Sequence, residues 1–452
     1  MKDEISFIDY FLKKWGITTG DYVRLKLTDG RILDGYIMPK HEYSKPNILV
    51  VKLRNGYNIG INAERIKDIE KITPPKFKSV DIKMPVVSER KRELPKVMIL
   101  GVGGTILSKV DYITGAVRSV VSADELIQVL PEVNDIAIVD TKIIMNKYSE
   151  HLVPEDWEIM CKEVYKAIIK GYDGVVILHG TDTLAYTASA LAFALQKPPV
   201  PIVLVGSQRS SDRPSSDAAL NLISAIYAAA YSEIAEVMVA MHLTTSDRIV
   251  ALHQATRVRK NHTSRRDAFQ SIDVIPYAVI EDGCKIKYLR RDYRKRAESE
   301  VPILYPKFSR KAALVKFYPG FHKNILYMLY KDGVKAIILE GTGLGHVGEE
   351  LYDTLKYLIE SGVRIYMASQ CIWGRVNMNV YDTGRLLKKI GVIPLENMLS
   401  EVAYVKASWI IGNFGVEELD NLMLKNIAGE ITYRSPIFDT RGINHVLEII
   451  SR

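Results

Sequence analysis

Cysteine is scarce in this sequence: three occur in 452 residues (Cys161, Cys284 and Cys371), far apart and without a CxxC pair. Such usage supports neither a zinc site nor a disulfide framework, and a reducing, cytoplasmic setting fits it best. Long apolar runs are missing as well. The most apolar stretches, such as 200–206, fall far short of the roughly 20 residues needed to cross a bilayer, and no membrane association is expected. The opening residues MKDEISFIDYFLKKW carry acidic side chains and no apolar segment ahead of a small-residue cleavage site, so no secretory leader is expected. Nor does composition argue for disorder, because 47% of residues are hydrophobic and 25% charged, as in globular chains.

What is present exceeds the usual domain length of about 100 to 200 residues, so several packed units are expected. The first unit reads as a small antiparallel β-barrel over 1–75. YVRLKL (22–27) and ILDGYI (32–37) flank a turn with Gly30, and NILVVKL (47–53) and YNIGIN (57–62) flank Asn55 and Gly56. Residues 76–96 mix proline, serine and a charge run, Glu89 to Glu93, with little periodicity, as in a linker. Apolar runs then alternate with helical segments: VMIL (97–100), IAIV (136–139), GVVIL (174–178), PIVLV (201–205) and VMVA (237–240). That pattern predicts an α/β unit with a parallel sheet covered on both faces, over 97–287. Ser122 and Glu125 form a capping box, and Pro154 opens another helix. The basic stretch from Arg290 to Arg296 reads as a solvated tether within a linker over 288–311. A smaller α/β unit follows over 312–452, with ALVKF (313–317), AIILE (336–340) and IYMA (365–368).

Gly101, Gly103 and Gly104 follow the strand VMIL and invite a nucleotide-loop reading. The spacing refuses it. A dinucleotide fingerprint needs glycine where Ile106 stands, and GVGGTILS lacks the GK[ST] ending of a phosphate loop. What remains is a glycine turn presenting Thr105 at the carboxyl end of a parallel strand, where open α/β sheets put their ligands. HGTDT (179–183) follows GVVIL and brings Thr181 and Asp182 to the same edge. Either loop alone reads as a helix cap; two hydroxyl-bearing loops with an acid between them point to chemistry. A threonine hydroxyl needs a positioned base, and a lysine serves if its surroundings hold it in a suitable protonation state. Lys260, in QATRVRKNHTSRRDAFQS, is the candidate, against the plain alternative of a basic solvated loop.

GGTI (103–106), Tyr112, Ser149, HGTDT, GSQR (206–209) followed by SSDAALNL, and RKNHTSRRDAFQS resemble, in order and spacing, the bacterial-type L-asparaginase and glutaminase family. The resemblance runs from Val97 to about Pro436. It implies an asparaginase-like pair of parallel-sheet α/β domains behind the barrel. It also implies Thr105 as nucleophile on a side-chain amide, with Thr181, Asp182 and Lys260 as a second catalytic cluster. Lys260 would act through Thr181, and Asp182 would orient the lysine and meet the substrate's α-amino group. Tyr112 would sit on a mobile lid, Ser149 would bind the α-carboxylate, and Gly104 and Gly180 would line the substrate, backbone NH groups of the glycine turns supplying an oxyanion hole. No metal or other cofactor is implied in this chain.

The front barrel, GTGLGHV (341–347) and SQCIWGRVNMNVYDTGR (369–385) are similar, more narrowly, to the asparaginase-like, D-type subunits of the archaeal glutamyl-tRNA(Gln) amidotransferases. That branch implies hydrolysis of L-glutamine and transfer of ammonia to a partner, the E-type subunit of the same amidotransferase. The partner would use ATP and Mg to amidate Glu-tRNA(Gln). The branch further implies a homodimer within a heterotetramer, in which Asn377, Asn379 and Tyr381 face the neighbouring active site. Ammonia would travel by a tunnel, since free ammonia is protonated and lost to solvent. Cys371 and Trp373 read as packed core and interface positions, Asp217 and Asn221 as scaffold on a helix that Ser216 can cap, and Gln208 and Arg209 as loop-positioning residues. Two other functions remain in play: a stand-alone L-asparaginase, and a non-enzymatic tRNA-binding module suggested by the net charge of +8 and the barrel.

Overall fold

The structure is a computed structural model and describes residues 7–38, 45–53, 58–73, 94–104, 108–110, 117–119, 130–209, 216–297, 300–435, 446–447 and 449–450. The Asn55–Gly56 turn, the capping box at Ser122 and Glu125 and most of the 76–96 segment lie outside the described residues.

In the first unit, β1 (Tyr22–Leu27), β2 (Ile32–Ile37), β3 (Ile48–Leu53), β4 (Asn58–Asn62) and β5 (Ile66–Lys71) form one antiparallel sheet in the order β4-β3-β2-β1-β5. Alternation along β1 explains the packing. Val23, Leu25 and Leu27 are buried, while Arg24 and Lys26 point outward and pair with Asp34 and Asp68. The sequence pattern predicts four of these strands; the structure adds β5 and a helix, α1 (Phe7–Lys14), whose Ile8 and Leu12 close the core. β4 and β5 are joined by one 3-10 turn and do not pair among the described residues, so a seam remains between them.

The second unit is an eight-stranded sheet. β6 (Lys96–Gly101), β7 (Ile138–Ile143), β8 (Gly174–Leu178), β9 (Ile202–Val205) and β10 (Val237–His242) are parallel in the order β7-β6-β8-β9-β10. These are the strands that the apolar runs predict. Alternate residues feed two cores: Val175 and Ile177 pack with α2 (Pro154–Ile169) and α3 (Leu184–Ala194) on one face, Val176 and Leu178 with α4 (Ala218–Tyr231) on the other. The run at 136–139 enters the sheet later than expected. Ile136 and Ala137 fill the core ahead of β7, and β7 itself is an edge strand with exposed residues. Beyond β10 the sheet continues antiparallel through β11 (Ile249–Gln254). The hairpin of β12 (Val258–Lys260) and β13 (Phe269–Ser271) interrupts it before β14 (Ala278–Glu281) and β15 (Lys285–Tyr288) complete the edge.

The expectation of a solvated tether at 290–296 does not hold. The Arg296 guanidinium donates to the carbonyls of Ser232, Asp173 and Ala229, and Arg294 takes part through its backbone with Ala235 and Glu236. Arg290 lies 4.7 Å over the Tyr277 ring and pairs with Asp292. Carbonyls left open at helix and loop ends need donors, and a charged side chain supplies several at once, so the segment is strapped down. Further on, Ile303–Leu304 pairs with Leu195–Gln196.

The third unit has β16 (Ala312–Lys316), β17 (Ala336–Gly341), β18 (Arg364–Ser369) and β19 (Ile393–Pro394) in a parallel sheet in that order. One face packs on α5 (Asn324–Lys331), α6 (Tyr352–Glu360) and α7 (Asp382–Ile390). The other meets α8 (Ser400–Phe414), and through it α3, so the two α/β units share one core in which Phe193 stacks on Trp409. Arg257 bonds Asn397 across this junction, and Lys406 and Glu430 form a fully buried ion pair beside it.

Candidate active site

Gly101, Ile143, Leu178 and Val205 stand in register at the carboxyl ends of β6, β7, β8 and β9. Loops leaving these four ends converge on one edge, the edge at which open α/β sheets bind ligands. Glycine is what allows the loops to touch. Gly104 has φ +89°, and a Cβ there would sit 2.4 Å from the Gly180 backbone. A Cβ on Gly180 would meet Ser149 Oγ at 2.9 Å, and one on Gly206 would meet Thr181 Cγ2 at 2.8 Å. Gly104, Ser149, Gly180 and Thr181 therefore form one packed floor. Thr105 and Tyr112 lie outside the described residues; Thr105 is bonded directly to Gly104.

The hairpin β12–β13 carries Lys260 to this floor. Its ammonium donates to Thr181 Oγ1 at 2.9 Å and to Asp182 Oδ1 at 2.6 Å. The Lys260 side chain is 13% exposed and that of Asp182 65%, so a nearly dry cation bridges a buried hydroxyl and a carboxylate open to solvent. Such a bridge can move a proton between the floor and the mouth of the site. Thr183 Oγ1 donates to the Ser149 carbonyl at 2.7 Å and fixes the buried Ser149 against the same loop.

Asp217 does not cap its own helix with its side chain. Its carboxylate accepts the amides of Gln208 at 3.0 Å and Arg209 at 3.1 Å, so it shapes the 206–209 loop. Ser216 Oγ donates to the Arg209 carbonyl and accepts from Ala218 N. His179 carries no role in the sequence reading, yet it is fully buried, and its Nδ1 lies 2.6 Å from the Gly180 carbonyl. Burial pushes its pKa down to about 4, so the ring is neutral and Nδ1–H donates to that carbonyl. HGTDT contains it without giving it a task, because its partner is a backbone carbonyl.

Cys371 corrects the expectation of a packed core position. It is exposed, in the turn after β18 where its amide donates to Ser369 Oγ; Trp373 is partly buried against the shared core. Asn377 and Asn379 bond within one loop, and Tyr381 beside them is exposed. Among the described residues no helix is long and apolar enough to cross a membrane, and no group of three or more His, Cys, Asp or Glu residues is placed to hold a metal ion.

Three family descriptions match the chain in sequence: GatD N-terminal domain over residues 17–72, Asparaginase, N-terminal over 96–294, and Glutaminase/Asparaginase C-terminal domain over 311–423. The D-type glutamyl-tRNA(Gln) amidotransferase subunit of Pyrococcus abyssi is 49% identical over 429 residues, which is 94% of this chain and 97% of that one. The chain belongs to the GatD family of glutamyl-tRNA(Gln) amidotransferase subunits. The GatD-family relative from Pyrococcus furiosus is likewise 49% identical, over 95% of this chain and 98% of its own. Among solved structures, the thermostable L-asparaginase from Thermococcus kodakarensis is similar with a TM-score of 0.66 at 31% identity, covering 75% of this chain and 100% of its own. The GatD family thus joins an asparaginase-type fold to an N-terminal sheet with its own family description.

Proposed function

We propose that this GatD-family chain hydrolyses L-glutamine and hands the ammonia to a partner subunit that converts Glu-tRNA(Gln) to Gln-tRNA(Gln). The observation that carries the reading is the bridge from Lys260 to both Thr181 and Asp182, over a floor whose Gly104 leads straight into Thr105. In the reaction Thr105 Oγ1 bonds to the side-chain carbonyl carbon of glutamine. Its proton ends on the departing nitrogen, ammonia leaves, and a glutamyl ester remains. Water then adds to the ester carbonyl carbon and the bond from that carbon to Thr105 Oγ1 breaks; the proton water loses, relayed by way of Thr181 and Lys260, ends on Thr105 Oγ1, and glutamate leaves. Backbone NH groups of the Gly104 and Gly180 turns face the developing oxyanion. Ser149 receives the α-carboxylate, the exposed Asp182 meets the α-ammonium, and Tyr112 closes over the substrate. No cofactor enters these steps in this chain; ATP and Mg serve the partner.

The partner in this reading is the E-type subunit of the amidotransferase, in a heterotetramer built on a homodimer of this chain, with Asn377, Asn379 and Tyr381 turned toward the neighbouring site. The units are taken as 1–75, 97–287 and 312–452, joined through 76–96 and 288–311. Copurification with the untagged partner, followed by an ammonia assay with glutamine, asparagine, ATP and glutamyl-tRNA, tests the reading. Glutamine-preferring release, raised by partner and glutamyl-tRNA, is expected. Constitutive, asparagine-preferring turnover supports a stand-alone asparaginase and overturns it.

A further inference from the structure

A chain of buried side chains runs beneath the site and ends on the two loops that hold its parts together. Asn221 Nδ2 donates to the Gly206 carbonyl and to Asp217 Oδ2, both at 3.1 Å, and Asp217 holds the Gln208 and Arg209 amides. Asn221 Oδ1 lies 2.6 Å from His242 Nδ1, and His242 Nε2 lies 3.3 Å from Asp247 Oδ1. Asp247 also takes the guanidinium of Arg266, which in turn reaches the Thr245 carbonyl. One end of the chain is the loop whose Gly206 abuts Thr181; the other is the hairpin loop that follows Lys260. Asp217, Asn221 and His242 are all fully buried.

The donors and acceptors fix the protons. Asn221 Nδ2 faces two acceptors, so its Oδ1 must face His242 and Nδ1 must carry a hydrogen. Asp247 is partly buried, which works against its charge, but the His242 ring and the Arg266 guanidinium outweigh that and hold its carboxyl below the usual range. Nε2 faces the same Asp247 oxygen that Arg266 meets. Charged groups reach the ring from three elements: Asp217 at the start of α4, Asp247 in the turn after β10, and Arg266 behind Asp247 on the hairpin. Burial pushes the Asp217 carboxyl up, opposed by the nearby His242 ring and the two loop amides.

We infer that His242, bonded to Asn221 through one ring nitrogen and facing Asp247 with the other, is a positioning residue that ties the Thr181 floor to the Lys260 hairpin and keeps their hydrogen bond in register. The inference rests on the reaction proposed above. His242→Asn keeps a donor toward Asn221 and loses the reach to Asp247. Asp247→Asn keeps an amide oxygen where Asp247 Oδ1 meets both His242 Nε2 and Arg266, so the chain persists without the negative charge. Asp247→Ala breaks the chain.

The full chain in complex with its partner is assayed for kcat and KM with glutamine, and the free full chain is labelled with 15N-histidine for NMR. Because small misplacements of reacting groups cost rate steeply, His242→Asn and Asp247→Ala should lower kcat about 10- to 100-fold with KM nearly constant. Asp247→Asn should restore most of the rate. The wild-type and Asp247→Asn rings should both carry a hydrogen on Nδ1. A wild-type ring without a hydrogen on Nδ1, or a His242→Asn kcat within about twofold of wild type, overturns the inference. If His242→Asn does not fold, the wild-type spectrum and the two Asp247 variants still decide. A wild-type complex that hydrolyses no glutamine instead overturns the proposed function, and the ring spectra remain a separate readout.

Discussion

Replacing Lys260 by methionine separates catalysis from stability. The Lys260–Asp182 pair involves a carboxylate that is 65% exposed, and ion pairs of that kind contribute about 0–1 kcal/mol. Loss of the 2.9 Å bond to the buried Thr181 hydroxyl leaves one polar group short of a partner, which costs about 1–3 kcal/mol. Methionine keeps most of the apolar stem, so the fold should survive with a modest drop in melting temperature. Turnover behaves differently. If ester cleavage depends on a proton passing through Thr181 to Lys260, losing that group should cost about 10²- to 10⁴-fold in rate, equivalent to about 3–5 kcal/mol of barrier. Lys260→Arg sharpens the test, since a guanidinium keeps the charge and does not release its proton. Both variants should be nearly inactive in an ammonia-release assay run well below either melting temperature. Turnover within about tenfold of wild type for either one would refute the assignment of Lys260.

Gly104→Ala places a Cβ against the Gly180 backbone at φ +89°; a loss of about 2–4 kcal/mol in denaturant unfolding is expected, with ammonia release abolished. Arg257→Met removes a buried guanidinium whose pKa burial has already brought down to about 10 and leaves the Asn397 carbonyl without that donor, while the Gly429 carbonyl keeps Gln254 and Asn397 Oδ1 keeps the Thr432 amide; chemical denaturation should show a loss of about 1–3 kcal/mol. Buried His253 and His179 have pKa values pushed by burial from 6.5 to about 3 and about 4. Below pH 6.5 the unfolded chain takes up protons that these rings refuse, so each contributes a fall in stability of up to about 1.4 kcal/mol per pH unit as acidity rises. Above that pH they contribute no slope. His253→Gln should flatten the acid limb of guanidinium-midpoint curves by that amount, and an unchanged limb counts against a neutral buried ring.

The parallel strands were legible because each is a short apolar run bounded by turn residues, and full burial leaves no other reading for GVVIL or IVLV. The antiparallel edge was not: β14 and β15 mix charge with apolar residues, and β-pairing at an edge tolerates both. Arg290 to Arg296 misled for a related reason. A charge run looks solvated until the carbonyls it satisfies, at Ser232, Asp173 and Ala229, are seen beside it. At the site, Thr181, Asp182 and Lys260 were legible through motif and resemblance, while their 2.6 and 2.9 Å contacts needed coordinates. His179 and His242 escaped notice because their partners are a backbone carbonyl and side chains remote in sequence. Nothing in a linear pattern marks such pairs.

The most direct test of the account is to quench the complex in acid during glutamine turnover and map any covalent adduct by peptide mass spectrometry. The account predicts a glutamyl ester on the peptide containing Thr105, absent in Thr105→Val, which should release no ammonia. Ammonia release by Thr105→Val, or an ester mapped to another residue, would contradict it.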